Sequence, residues 1–130
     1  MTGDEERRHV IELAAEFPNI TGVMMDDFFK SPDEHGEIGA LTVEQLNAVR
    51  SQLASVGRPL DIWVVLYDHQ VHLPVKQHLE LCDTVTFWTW TADELPNLER
   101  NFAVVEELAG KCRVVLGCYL WDYGRGRQMP

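Results

Sequence analysis

The stretch "DIWVVLYDHQVHLPVKQHLELCDTVTFWTW" (residues 61–90) decides the fold. It opens on "DIWVVLY", a β-branched and aromatic run with no polar interruption. "LPVKQHLEL" follows, with helical spacing and with Pro74 suited to a first helical position. "DTVTFWTW" is a second strand-like run. A strand, a short helix and a strand in so few residues make a βαβ unit, and a βαβ unit joins parallel strands. In "DTVTFWTW", Thr84, Thr86, Trp88 and Trp90 fall on one face and Val85, Phe87 and Thr89 on the other. A polar-to-aromatic face fits poorly under a helix layer and well in the lumen or mouth of a barrel.

Outward from this unit the rhythm continues. "ITGVMM" and "RVVLGCYLW" are the other strand-like runs, the second expected to end at Trp121. "TGDEERRHVIELAAEF" carries an apolar stripe of Val10, Leu13, Ala14 and Phe17, with Thr2 and Glu5 in capping-box spacing and Pro18 as its stop. "LTVEQLNAVRSQLASVG" has Thr42 and Gln45 as its box, Val43, Leu46, Val49, Leu53 and Val56 as its stripe, and Gly57 just beyond it. "TADELPNLERNFAVVEELAG" places Thr91 and Glu94 as a box and Leu98, Phe102, Val105 and Ala109 as the stripe. Pro96 either begins the regular helix or leaves the first turn irregular. The order α-β-α-β-α-β-α-β predicts right-handed crossovers and an all-parallel sheet. We expect a single α/β domain over residues 1–130, a (βα)4 half-barrel with four parallel strands, an N-terminal helix and strand order 1-2-3-4. The alternative is an open doubly wound sheet.

Composition narrows function. The 130 residues carry 21 acidic against 11 basic side chains, a net charge of −10. Phosphate backbones and anionic membranes are repelled by such a chain, so neither nucleic acid nor membrane is an expected partner. "MTGDEERRHV" has no apolar signal core, and no run approaches a membrane span. Cys82, Cys112 and Cys118, an odd count without CxxC spacing, read as buried or half-buried thiols of a reducing compartment, so the cytoplasm is the expected location.

Chemistry in parallel α/β folds gathers at the carboxyl ends of strands. Those ends read Asp26-Asp27-Phe28, Tyr67-Asp68-His69-Gln70, Trp88-Thr89-Trp90 and Trp121-Asp122-Tyr123. The strand starts, Ile20, Asp61, Asp83 and Arg113, are ordinary surface turns. Indole faces stack on the C–H faces of sugar rings, and paired carboxylates serve glycosidic acid–base or nucleophilic chemistry. In such a site Asp26 or Asp27 is the nucleophile or base, Asp68 or Asp122 the acid partner, and His69 an orienting hydrogen-bonder beside Gln70. Trp88, Trp90, Trp121 and Tyr123 are the sugar-binding residues. Strand alternation turns only one of Asp26 and Asp27 toward the site. The long connection "KSPDEHGEIGA" (residues 30–40) lies on the same side.

Other readings are weaker. Asp68, His69 and His72, with His35 and Glu37, have metal-ligand chemistry but no fixing motif, and His72 and His78 read as the start and exposed side of a short helix. No metal or cofactor is expected. Asp26, Asp27 and Asp68 mimic a phosphoacceptor receiver, but "LWDYGRGRQ" offers no lysine followed by proline. "YGRGRQ" has no following helix to make a phosphate loop.

The runs "FPNITGVMMDDFF", "RPLDIWVVLYDHQ", "LCDTVTFWTW" and "LGCYLWDYG" resemble a group of bacterial (β/α)-barrel proteins similar in outline to barrel glycoside hydrolases. The resemblance covers nearly the whole chain and implies a carbohydrate site. Phe28 and Phe29 follow the acids where some barrel glycosidases carry a catalytic Glu. An eight-unit barrel needs at least about 200 residues. The chain therefore resembles a truncated member lacking a first strand and the C-terminal units, of the kind a mobile gene carries. Half a barrel leaves its inner face and two edge strands open, so a homodimer through those surfaces is expected. With half the site-bearing loops missing, a binding or self-assembly module is the first functional expectation, and a carbohydrate-active hydrolase the alternative.

Overall fold

A computed structural model describes residues 3–130. In chain order the elements are α1 (Asp4–Glu16), β1 (Gly22–Met25), α2 (Val43–Leu53), β2 (Asp61–Tyr67), α3 (Lys76–Leu79), β3 (Thr84–Trp88), α4 (Leu98–Ala109), β4 (Arg113–Leu116), β5 (Trp121–Asp122) and β6 (Arg127–Gln128). The first four strands form one parallel sheet in the order β1-β2-β3-β4, and β5 and β6 form a separate antiparallel hairpin.

Sequential order with crossovers of one hand puts every helix on the same face. Val23, Met25, Ile62, Val64, Leu66, Val85 and Phe87 share one buried cluster with Ala14, Leu46, Val49, Leu53, Leu79 and Val105 from the helices. A doubly wound sheet would need a second core on the opposite face. The arrangement is instead a half-barrel, with helices outside and Met24, Trp63, Val65, Tyr67, Thr84, Thr86 and Trp88 on the inner face.

Local chemistry explains the boundaries. Thr42 Oγ1 accepts from the Gln45 amide at 3.2 Å, and Gln45 Oε1 accepts from the Thr42 amide at 2.9 Å, so the box starts α2 as its spacing predicts. Gly57, at φ +81°, ends the 3-10 turn that follows. Thr2 lies outside the described residues; α1 is capped by the Gly3 amide donating to Glu6 Oε2 at 3.2 Å. The last turn of α1 has no basic residue. Arg58 supplies the charge from across the fold, donating to the carbonyls of Ala14 at 2.7 Å, Phe17 at 3.2 Å and Ile20 at 2.6 Å. Pro96 lies inside a 3-10 turn over Ala92–Asn97, and α4 begins only at Leu98. The Thr91 side chain makes no capping bond there, because a 3-10 turn does not bring the third amide onto the cap as an α-helix does.

Three expectations are corrected. The fourth strand ends at Leu116, not Trp121: Gly117 turns the chain inward, and Trp121-Asp122 belongs to the hairpin. His78 is buried, not exposed. Its Nε2 sits 3.1 Å from the Leu41 carbonyl and its ring meets Phe28 and Phe29 edge-on, because the long connection after β1 folds back over α3. Cys118 is exposed, while Cys82 is buried and Cys112 half-buried.

The inner face is also less open than four strands of a barrel suggest. Val65, Thr84 and Thr86 are buried. At the amino end of the strands the Arg113 guanidinium lies 5.2 Å over the Trp63 ring and donates to Thr84 Oγ1 at 2.9 and 3.1 Å. At the carboxyl end Trp88 Nε1 donates to Thr86 Oγ1 at 3.0 Å, and Tyr119 covers the indole at 4.7 Å between centroids. The chain fills its own concavity with large side chains, and Met24 alone among the inward residues of β1 stays half-exposed.

Candidate functional site

The carboxyl end of the sheet brings the candidate residues together. β1 ends at Met25, and Asp27 takes a left-handed conformation at φ +48°. That reversal breaks strand alternation, so the expected splitting of the acid pair does not occur. The Tyr67 hydroxyl, at the end of β2, reaches both: 3.0 Å to Asp26 Oδ1 and 3.1 Å to Asp27 Oδ1. Asp26 Oδ1 also accepts from the Asp27 amide at 2.9 Å, an aspartate bonding the chain just ahead of it. Both carboxylates are exposed, and neither forms an ion pair with a described residue.

Asp68 and Asp122 have other work. Asp68 is buried; Oδ1 accepts from the His69 amide at 2.8 Å and Oδ2 from the Trp90 amide at 3.2 Å. It ties the end of β2 to the end of β3. His69 Nδ1 lies 3.4 Å from the same Oδ1. Asp122 is 0% exposed; Oδ1 accepts from the Arg125 amide at 3.0 Å and shapes the hairpin turn, while Oδ2 has no partner among the described residues. Gln70 is buried too, accepting from the Tyr67 amide at 3.0 Å and donating to the Phe29 carbonyl at 2.7 Å. It locks the β1 and β2 ends together.

The aromatic side chains form one continuous array. The Tyr67 ring stacks on His69 at 5.5 Å and 7°, and meets Trp90 edge-on at 5.0 Å. Trp90 stacks on Tyr123 at 4.7 Å, and Tyr119 touches both Tyr123 and Trp88. Offset and edge-to-face pairs each contribute about 0.5–1.5 kcal/mol beyond their buried area. Tyr119, which the sequence reading passed over, is central here. In the sequence it falls inside the strand-like run, and the signal against a strand is Gly117 two residues before it. Trp121 stands apart on the hairpin, half-exposed and outside the ring contacts among the described residues.

The electrostatics of the array are set by its wrapping. Burial first, then hydrogen bonding to Tyr119 and Asp26, pushes the Tyr67 phenol well above its ordinary value. Tyr119 rises as well, by burial and by the charges of Asp26, Tyr123 and Asp27. The hydrogen bond with Tyr67 pulls Tyr119 the other way without cancelling the rise, so both phenols hold their protons to higher pH than a free phenol.

A cleft of about 670 Å³ opens beside Trp90. It is lined by Asp68, His69 and Val71 after β2, by Thr91 and Glu94 after β3, and by Arg100 and Asn101 of α4. Only Asp68, His69 and Trp90 of these stood out in the sequence. Asn101 lies on the buried side of α4 with Val105 and Ala109, and Arg100 beside it is exposed.

Among the described residues no cluster of three His, Cys, Asp or Glu side chains is placed to hold a metal ion, and no helix is long and apolar enough to cross a membrane. No family model, curated protein or solved structure matches the chain.

Proposed function

We propose that the chain is a half-barrel binding and self-assembly module whose acidic, aromatic mouth takes a carbohydrate, akin in outline to the barrels of glycoside hydrolases. One observation carries this reading: Tyr67, His69, Trp88, Trp90, Tyr119 and Tyr123 form a continuous aromatic array at the strand ends, exposed at His69 and Tyr123 and joined through the Tyr67 hydroxyl to two exposed carboxylates that form no ion pair with a described residue. Of the partners that a two-carboxylate hydrolase would draw on, Asp68 is committed to backbone amides through both oxygens, and Asp122 is fully buried with Oδ1 on the Arg125 amide. That favours binding over turnover. The net charge of −10 speaks against nucleic acid as the ligand.

Self-assembly draws support from part of the exposed apolar surface, the rest of which lies at Val104 on α4 and at Trp121 and Tyr123 of the hairpin. Phe17 and Met24 are exposed beside β1, and Leu116 and Leu120 on and just after β4. These are the two edge strands of the sheet. A second copy related by a two-fold axis along the strands would set β4 against β1 of its partner twice, making eight parallel strands.

Two measurements test the reading. Saturable tryptophan quenching by saccharides, with no release of aryl-glycoside leaving groups, supports the module. Turnover abolished by Asp26→Asn with Asp27→Asn would establish the hydrolase instead. Mass measured across a dilution series tests assembly, and a stable monomer at low micromolar concentration removes it.

A further inference from the structure

We infer that the cleft beside Trp90 is a binding site for an uncharged pyranose, held by Asn101 and Arg100 of α4. This rests on the carbohydrate reading above and narrows it to one place and one class of sugar.

The cleft volume, about 670 Å³, falls inside the about 300–1,000 Å³ range of small-molecule sites. Its most telling residue is Asn101. The side chain is 9% exposed and lines the cleft, yet its amide makes no hydrogen bond to any described residue. Its nitrogen and oxygen are not enclosed, so the amide is open to the cleft. Its neighbours on the buried side of α4, Val105 and Ala109, are apolar. Position 101 continues that face with a polar group. The amide offers two donors and an acceptor to whatever fills the cleft.

The other walls complete a mixed set. Arg100, one residue before it, has an exposed guanidinium with no ion pair to a described residue. Glu94 uses Oε2 to accept from Asn97 Nδ2 at 3.0 Å and keeps Oε1 for an occupant. Trp90 gives the apolar wall. Donors and acceptors side by side match hydroxyl groups, which do both. The charge balance selects among sugars. Two carboxylates, Asp68 and Glu94, face the cleft against Arg100, in a chain of net charge −10. A phosphorylated or uronic sugar is repelled by that field, and an ammonium group on the ring meets Arg100.

The test uses the full chain and methyl glucoside, methyl galactoside, methyl mannoside and methyl xyloside, against glucuronate, glucosamine and glucose 6-phosphate. Binding is read by tryptophan fluorescence and by amide and indole shifts in 1H–15N spectra. The expected result is saturable binding of at least one neutral glycoside, shifting the Trp90 indole and the Asn101 side-chain amide, with the charged sugars at least tenfold weaker. Arg100→Gln and Asn101→Leu, each checked for an unchanged thermal midpoint, should weaken binding at least tenfold. Should Asn101→Leu fail to fold, Arg100→Gln alone carries the test, since Arg100 is exposed. Neutral sugars that bind equally well to both variants, and lose affinity on Tyr123→Ala, place the ligand on the aromatic array. That overturns the inference and leaves the carbohydrate reading standing. Charged sugars binding as tightly as neutral ones overturns it as well. No binding by any sugar removes both.

Discussion

The Tyr67 hydroxyl is hydrogen-bonded to Asp26 at 3.0 Å, across the gap between the ends of two neighbouring strands. The same oxygen lies 3.1 Å from Asp27, so one proton serves two carboxylates. The phenol must stay protonated for that arrangement to hold, and burial, Tyr119 and Asp26 all raise its affinity for the proton. Of the three tyrosines, Tyr67 and Tyr119 should therefore ionise late in an alkaline absorbance titration, above the ordinary 10.0. The stability they contribute is complete below that value and is lost as pH rises through their higher folded-state values. Tyr67→Phe should remove one late phenol and cost about 1–3 kcal/mol by denaturant unfolding, since the acid pair loses its donor.

Gly117 turns the chain against the flat of Trp88. A Cβ there would stand 2.1 Å from Trp88 Cδ2. Gly117→Ala should therefore force the indole or the 117–120 segment to move, at about 1–3 kcal/mol. Near-ultraviolet circular dichroism should lose intensity as Tyr119 leaves Trp88, while far-ultraviolet signal persists. An unchanged near-ultraviolet spectrum would sink this account of the mouth.

Arg58 closes the end of α1 through three carbonyls. Arg58→Met keeps most of the stem and removes the charge and donors. The expected loss is about 1.5–3 kcal/mol, the range for hydrogen bonds to a charged group. Faster hydrogen exchange should appear first in the last turn of α1 and at Ile20, and spread little to α4.

Arg50 grips Asp83 with both ends of its guanidinium, at 2.9 and 3.0 Å, and Asp83 also accepts from the Ile62 amide at 2.8 Å. Burial alone would raise the Asp83 value, but the Arg50 bonds and the Ile62 amide outweigh it and hold the carboxyl below 3.8. A lowered acid contributes stability above its unfolded value and loses it as pH falls through the folded one. Unfolding free energy should thus decline below about pH 4, and Asp83→Asn should flatten that decline while costing about 1.5–3 kcal/mol at pH 7.

The thiols should react in a fixed order. Cys118 is exposed and should be alkylated first. Burial pushes Cys112 up to about 11 and Cys82, which is more enclosed, up to about 12. Timed iodoacetamide labelling followed by peptide mass analysis should give the sequence Cys118, Cys112, Cys82.

Most of the architecture was legible in the sequence because it rests on periodicity. Strands buried on one face by helices and on the other by their own Trp, Tyr and Thr read as continuous β-formers, and Thr42 with Gln45 marks a helix start that local chemistry alone decides. The site was legible in composition and not in geometry. Alternation predicts that Asp26 and Asp27 diverge, yet one left-handed residue at the strand end cancels it, and an Asp tolerates that conformation without announcing it. His78 carries a polar ring on what reads as a solvent face; only the fold-back of residues 30–41 buries it. Asn101 stands in line with Val105 and Ala109 at helical spacing, which marks the buried side of α4. Only tertiary packing shows that a cleft lies against it there.

The self-filled concavity changes what growth would look like. With Trp63, Arg113, Trp88 and Tyr119 already packed over the sheet, no broad sticky face is left, only two unlike borders, one at β1 and one at β4. Unlike borders join head to tail. Strong curvature returns the second copy to the first and the assembly stops as a ring; a flatter join keeps adding copies and yields a fibre. Under the proposed self-assembly, the bend of four short strands would decide between a discrete particle and a filament as concentration is raised.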